Sequence, residues 1–548
     1  IIYRPLIFML ENSMSICYYI VTMFILRNIK KVGKKEYSST LLVESVRENG
    51  VSRHKTILNL SKWGADEVNA LEASLKGKTG FSLDDVKSKE GKNIGGLWVM
   101  KAIADRLNIS QVLGKSRQAK KALLIILGRI LTQGSRLHLC EWGQLQEIES
   151  VLGIEKYNED QLYEALDWLC SNQEKIEHRL FQKRYKGKPP ELFLYDITSS
   201  YLEGDKNELA KYGYNRDKKK GKKQIVIGLI TDGEGIPISV EVFEGNRIDS
   251  TTVIEEIEKL AKRFGAKKFT FVGDRGMLKK GQIEHLKDRH HYITAITKPQ
   301  IEKLLKAGLF QMDLFDEAVT EIEDNGLRYV ARRNPYMAKR SGANRLSKID
   351  CLKQKTSDAN TYINDHSKAK TETQIKNISA LISKFKLNKC IAIKETSNQQ
   401  LDLVVDQNVL KEMEKLDGCY VLKTDLDSKK MSKENIHARY KDLAMVEHAF
   451  RTMKTSVLEV RPIYVRKKSR TRGHVFATML AYMITQYFWN QVKELGHTLD
   501  FSIECVNDIK TTFLILGKKT IKTIPTLSPL KIGILNALNI SLPKTIPV

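Results

Sequence analysis

Cysteine is scarce: seven in 548 residues, at positions 17, 140, 170, 351, 390, 419 and 505, odd in number and without a CxxC pair. That scatter excludes a disulfide framework and a cysteine-built zinc site, and a reducing cytoplasm is the expected setting. Long apolar runs are short or broken. Ile16–Leu26 (ICYYIVTMFIL) has only about half of the roughly 20 residues a membrane-spanning helix needs. No small-residue cleavage site follows it, as a signal peptide requires; Arg27, Lys30, Lys31, Lys34 and Lys35 do. The chain opens on Ile, with Met14 before this stretch and Met23 inside it, so residues 1–22 are expected to be a non-native extension upstream of the natural start. The run RGHVFATMLAYMITQYFWNQVKEL is interrupted by His474, Thr478 and Gln486 and is expected to be a buried helix, so no membrane partner is expected. Acid is also in deficit. Against 91 Lys plus Arg stand 65 Asp plus Glu, a net charge of +26 that favours a polyanionic partner without choosing among DNA, RNA and anionic lipid. Ser199 and Ser200 lack a nucleophile motif, and His290 and His291 lack metal-ligand spacing, which argues against a serine hydrolase and a histidine metal site.

What is present divides the chain by period. At 62.7 kDa and 42% hydrophobic it can bury a sizeable core in about two to four domains. Residues 23–60 alternate as short strands joined at Gly33 and at Asn49 and Gly50, predicting a small β segment. Residues 61–188 turn helical, with Asn158 as an N-cap, and are expected to form a DNA-binding region. There Lys115, Arg117, Lys120 and Lys121 are either DNA contacts or a solvated face. Over 189–299, ELFLYDITSSYLEG, QIVIGLITDGEGIPISVEVFEG and KKFTFVGDRG read as strands, with a helix before the last. Three strands, a helix and a strand is the order of an α/β, RNase H-like mixed sheet. Residues 300–417, including a loop-like SDANTYINDHSKAKTETQ, are expected to be an insertion between core elements. The second part of the core covers 418–498, and 499–548 form a C-terminal tail.

Two aspartates, Asp196 and Asp274, end strand-like runs, and a helix is predicted from about Ile436 to the Thr455 region. At 100° per residue Glu447 lies about 20° from Tyr440, Lys454 about 40°, and Arg451 about 20° on the other side. Leu443, Val446, Phe450 and Met453 form an adjoining apolar stripe. On periodicity alone, the polar edge is either a solvated helix face or a site. Three carboxylates brought to one point are hard oxygen donors for Mg²⁺ or Mn²⁺, and two such ions suit displacement at a nucleic-acid phosphodiester. Six basic residues and one acid occupy Arg216–Lys223, so Lys218, Lys219, Lys220, Lys222 and Lys223 are a phosphate-contact loop or a solvated one.

The segments YDITSSYLEG, VEVFEGNRIDSTT, FVGDRGML and RYKDLAMVEHAFRTMKTSVLEVRPIY, within about Phe24 to Tyr487, resemble DDE transposases of bacterial insertion sequences. The likeness is to the large superfamily with a Tyr, Arg, Glu, Lys signature around its third acid. Tyr440, Leu443, Glu447 and Lys454 stand at that spacing, with Leu in the Arg slot. The resemblance implies Asp196, Asp274 and Glu447 as catalytic and metal-binding triad, and Tyr440 and Lys454 as phosphate contacts. Arg451 or Arg461 is expected to supply the missing cation, and Arg275, beside Asp274, either orients the acid, touches the DNA backbone or serves structure. It further implies two divalent ions, cleavage at the terminal inverted repeats, transfer of the 3′-hydroxyl into target DNA, and a homodimer on paired ends. An inactive DNA-binding descendant and an RNase H-like structure-specific nuclease are the alternatives.

Overall fold

The computed structural model describes residues 22–32, 35–48, 51–76, 86–217, 219–286, 289–315, 319–366, 368–396, 400–455, 457–461, 463–516, 519–543 and 546. Most of Ile16–Leu26, together with Gly33, Asn49, Gly50 and Lys218, therefore lies outside the described residues. The chain divides into one unit of Ala104–Leu139 and Tyr157–Tyr487 and another of Ile1–Ile103, Cys140–Lys156 and Phe488–Val548.

The first unit contains, among the described residues, an eight-stranded mixed sheet. Its strands are β1 (Leu192–Tyr201), β2 (Gln224–Asp232), β3 (Pro237–Glu244), β4 (Thr270–Gly273), β5 (His291–Ala295), β6 (Thr320–Asp324), β7 (Leu327–Arg333) and β8 (Cys419–Thr424). They lie in the order β6-β7-β8-β5-β4-β1-β2-β3. β1 pairs with β4 and β4 with β5 in parallel, and every other neighbour is antiparallel. β2 is buried along its whole length and β1 along most of it, which explains their near-continuous apolar composition.

Seven helices matter here: α1 (Glu159–Tyr185), α2 (Asp249–Phe264), α3 (Pro335–Asp365), α4 (Thr371–Phe385), α5 (Lys433–Lys441), α6 (Leu443–Lys454) and α7 (Lys468–Val492). α1 is capped by Asn158, whose side chain accepts from the Gln161 amide, as the sequence predicts. Phe181 of α1 and Val253, Ile257, Leu260 and Phe264 of α2 share a core with Phe193, Tyr195 and Phe271 of the sheet. Each such side chain contributes about 1.5–3 kcal/mol on full burial. No helix among the described residues is long and apolar enough to cross a membrane.

Four expectations are corrected. The stretch 300–417 is not all outside the sheet, because β6 and β7 extend it beyond β8. The loop-like SDANTYINDHSKAKTETQ is helical at both ends, carrying the last turns of α3 and the start of α4. Its polar residues hide a buried seam: Leu352 and Ala359 of α3 meet Ile378 and Ile382 of α4 in a separate small core. The helix predicted through Tyr440 and Glu447 is interrupted at Asp442, so Tyr440 belongs to α5 and Glu447 to α6. Angles counted along one continuous helix do not cross that break. Finally, within 61–188 the segment Val86–Asn93 is a strand, polar in sequence and made a strand by its partner.

That partner lies in the second unit's C-terminal part. Lys510–Leu516 pairs antiparallel with both Val86–Asn93 and Lys519–Thr523, and the tail also forms helices Leu499–Asn507 and Pro529–Ala537. The same unit holds an antiparallel sheet of Thr22–Val32, Lys35–Glu48 and Val51–Asn59, the β segment expected from alternation.

Candidate active site

Register brings the two aspartates together. Tyr195 of β1 is level with Gly273 of β4 in a parallel pair, so one step on, Asp196 stands beside Asp274. Parallel strands present ligands at their carboxyl ends, and Asp274 is the first residue past the end of β4. α6 packs its apolar face, Leu443, Val446, Ala449, Phe450 and Met453, into the protein and leaves Glu447 exposed. Asp196, Asp274 and Glu447 line one cleft of about 380 Å³ with Thr198, Arg216, Met277, Phe450, Arg451 and Lys454.

The cleft is electrostatically crowded. Burial, reinforced by the Asp274 and Glu447 charges, pushes the Asp196 carboxyl up to about 7, against the opposing pull of its backbone hydrogen bond and of Arg216. Asp274 Oδ1 accepts from the Arg275 amide at 2.7 Å and from the Tyr440 hydroxyl at 3.1 Å. Burial and the neighbouring Asp274 hold the Tyr440 phenol far above its ordinary value, so it donates rather than ionises. The three acids line the cleft without closing on a common point. Among the described residues, no three His, Cys, Asp or Glu groups stand at metal-holding spacing.

The sequence-predicted cations scatter. Lys454 donates to Thr198 Oγ1 at 2.7 Å, to the Ser199 carbonyl and to Asp217 Oδ1 at 3.1 Å, with a side chain only 10% exposed. Burial pulls its ammonium down despite Asp217. Arg461 pairs with the same Asp217. Arg451 is exposed on the cleft wall. Arg275 lines a different cavity with Lys279, Lys280 and Lys423. In the basic loop Lys219 lies over the Tyr201 ring and Lys223 over Tyr212, Lys222 pairs with Glu203, and Lys220 is exposed. Leu443, in the signature's Arg slot, is 8% exposed and packs in the core.

Two residues that sequence reasoning did not single out are Arg216, on the cleft wall facing Asp196, and Asp217, the buried anchor of Lys454 and Arg461. The one acid inside a basic run was the available signal. At the base of the loop the chain closes on itself at Gly245, where a side chain would strike the Gln224 and Lys211 carbonyl oxygens. The Arg216 amide then donates to Ser199 Oγ at 2.9 Å, and the Tyr201 amide to Asp217 at 3.2 Å.

Residues 187–484, more than half of the chain, match the family described as Transposase DDE domain. Residues 26–85 match the IS1634 family transposase N-terminal domain. No curated protein matches the chain. Among solved structures it is similar to the piggyBac transposase synaptic complex with hairpin DNA, at 9% identity, 75% coverage of this chain, 78% of that one and a TM-score of 0.35.

Proposed function

Because the chain belongs to the transposase DDE domain family and is a DNA transposase that cuts DNA and transfers strands, we propose that Asp196, Asp274 and Glu447 are its catalytic carboxylates in an RNase H-like core. The observation that carries this reading is the parallel register that sets Asp274 beside Asp196, with Glu447 on the wall of the same cleft. The strand order β3-β2-β1-β4-β5, antiparallel on one side of β1 and parallel on the other, supports the RNase H-like assignment.

Transposases of this family work with divalent metal ions, and the donor set here fits them in chemical kind, while the three carboxylates stand wider apart than metal-holding spacing. All three acids are hard oxygen donors, and none is ion-paired to a Lys or Arg among the described residues. Asp196, Asp274 and Glu447 would hold the divalent ions, Mg²⁺ or Mn²⁺, which when bound would supply activation of the attacking oxygen and stabilisation of the leaving one. Tyr440 fixes the rotamer of Asp274 by its hydrogen bond. Arg216 and Arg451 offer charge to the scissile strand from the cleft wall. Lys454, locked by Asp217, orders β1 and the basic loop and presents its charge to the element end from a fixed position. Leu443 serves packing, so its departure from the family signature does not remove a residue from the cleft.

The substrates on this reading are the terminal inverted repeats of the chain's own element and a target duplex, worked on by a homodimer across paired ends. Incubation with Mg²⁺ and DNA carrying those repeats should give end cleavage and joining. Binding without cleavage would sink the assignment of an active triad; nicking without joining would make the protein a structure-specific nuclease.

A further inference from the structure

The loop between β1 and β2 holds two aromatic rings out in solvent: Tyr214 is 83% exposed and Tyr212 64%. A lone exposed ring is ordinary on a protein surface, but these two stand on a pinned backbone. Lys211 and Gln224 exchange backbone hydrogen bonds at 3.1 and 3.0 Å. Gln224 Nε2 donates to the Tyr214 carbonyl at 3.2 Å and to the Gly245 carbonyl at 2.8 Å. Between the tyrosines, Gly213 lies so close to the Gly245 carbonyl that a side chain there would strike it. Beyond them Asn215 Nδ2 donates to the Lys219 carbonyl at 2.8 Å, and the Arg216 amide to Ser199 Oγ. Rings presented on a fixed backbone lose little freedom when a ligand meets them.

Cations alternate with these rings. Arg216 lies 5.8 Å over Tyr214 and Lys223 5.9 Å over Tyr212, while Lys219 and Lys220 are exposed. Of the acids on the same stretch, Glu203 is paired to Lys222, Asp217 to Lys454 and Arg461, and Glu208 accepts from the Lys468 amide; Asp205 stands exposed beside Lys223. A third ring, Tyr464, is 70% exposed and follows Ile463, which bridges to Leu202 at the end of β1. Duplex DNA offers phosphates to such a surface but keeps its base faces inside its own stack, so cations alone would serve it. Exposed rings interleaved with cations suit an unpaired strand, whose phosphates and base faces are both available.

We propose that Tyr214 and Tyr212 form a stacking platform for unpaired bases of the DNA strand that enters the catalytic cleft, with Lys219, Lys220 and Lys223 following its phosphates. Arg216 joins the two places, since it lines the cleft with Asp196, Asp274 and Glu447 and lies over the Tyr214 ring. A base stacked on Tyr214 therefore belongs to the strand whose phosphodiester the cleft holds. The proposal rests on the chain acting on DNA, not on the identity of its catalytic acids.

The test is anisotropy binding of the full chain, in Ca²⁺, to three labelled probes: a blunt duplex of its own element end, the same duplex with a short unpaired overhang, and that overhang made abasic. The wild type should bind the overhang roughly tenfold more tightly than the blunt duplex, the scale of stacking one base on an aromatic ring. The abasic overhang, with the same phosphates and no base faces, should lose most of that gain. Tyr214→Ala should lose the gain while binding the blunt duplex as the wild type does, Tyr214→Trp should keep it, and Tyr212→Ala should lose less. A 2-aminopurine in the overhang should be quenched on binding to the wild type and to Tyr214→Trp, and stay bright on Tyr214→Ala. Equal binding of the abasic and base-bearing overhangs would overturn the platform, leaving phosphate contacts only. Equal weakening of blunt and overhang probes in Tyr214→Ala would overturn it too, making Tyr214 a duplex contact or a structural residue. Absence of any overhang preference in a wild type that cleaves ends normally refutes the platform alone. A Tyr214-dependent preference in a wild type that never cleaves refutes the triad alone.

Discussion

Two groups of three carboxylates lie against the same sheet, and they have been treated in opposite ways. Between α1, α2 and β3, Glu177, Glu241 and Glu256 are met by cations of the chain itself. Lys259 bonds Glu241 at 2.8 Å and Glu256 at 2.7 Å, and Arg263 bonds Glu177 at 2.8 Å. Glu177 also accepts from Gln173 and Ser239. In the cleft, Asp196, Asp274 and Glu447 have a phenol and a backbone amide on Asp274, and among the described residues no Lys or Arg ion pair. Yet burial pushes one member of each group, Glu256 and Asp196, to about 7. A displaced carboxyl therefore marks burial and crowding in both places; what separates a structural network from a candidate metal site is whether the chain brings its own counter-charge.

The widest separation between the groups should appear in activity. Asp196→Ala, Asp274→Ala and Glu447→Ala are each expected to lower end cleavage by at least about 10²–10³-fold, the scale of losing one preorganised electrostatic group. Binding of the end duplex in Ca²⁺ should persist. Glu256→Ala should leave the cleavage rate of folded protein untouched. Gel-resolved cleavage of labelled ends measures both, and full activity in any cleft variant would remove that acid from the site.

Next comes stability. Lys259→Met strands two carboxylates in the core and should cost about 3–5 kcal/mol by urea denaturation, because removing one partner leaves buried charge uncompensated. A loss under about 1 kcal/mol would mean that water or proton uptake already satisfies Glu256 and Glu241, and the contrast with the cleft would weaken.

The third test uses pH. The Glu256 carboxyl is raised in the folded state, so its contribution to stability is present below the unfolded value near 4.3 and is lost as pH rises through about 7. For this group the loss between pH 4.5 and 7.5 is at most about 3 kcal/mol. Urea midpoints of wild type and Glu256→Gln at those two pH values should diverge, with the variant flatter. Parallel curves would show that Lys259 keeps Glu256 ionised throughout.

How much of this was legible in sequence follows the range of the forces involved. Asp274 could be placed at a strand end because an apolar run and the residue that ends it are local facts, whereas Asp196, expected to end its run, lies inside β1, which continues to Tyr201. The hairpin between β2 and β3 was equally readable, since Asp232 makes its own turn by accepting the Glu234 and Ile236 amides at 2.9 Å. The break at Asp442 left no such mark: neither Pro nor Gly occurs there, and Asp442 keeps helical dihedrals. Val86–Asn93 is a strand only because Lys510–Leu516 lies alongside it, an effect no local pattern carries. Leu443 could be assigned to packing from its position on the apolar stripe, and its burial agrees. The anchoring of Lys454 by Asp217 joins residues from two distant segments, and the signature spacing describes only one of them.

Asp217 supplies the finest test of the comparison, because it sits at the rim of the cleft but behaves like the core group. Its side chain is 4% exposed and it meets two cations of its own chain, Lys454 and Arg461. If it neutralises them as Lys259 neutralises Glu256 and Glu241, then Asp217→Asn should release charge toward DNA and steepen the salt dependence of duplex binding by about one unit. Lys454→Ala should flatten that slope by less than a full unit, since part of its charge is already spent on Asp217. Cleavage should nevertheless fall in both, by several-fold, as the Thr198 and Ser199 contacts that tie α6 to β1 loosen. An unchanged slope in Asp217→Asn with a full-unit drop in Lys454→Ala would mean that Lys454 turns to the DNA whenever DNA is present, and that the division between self-neutralised and ligand-neutralised charge does not hold at this boundary.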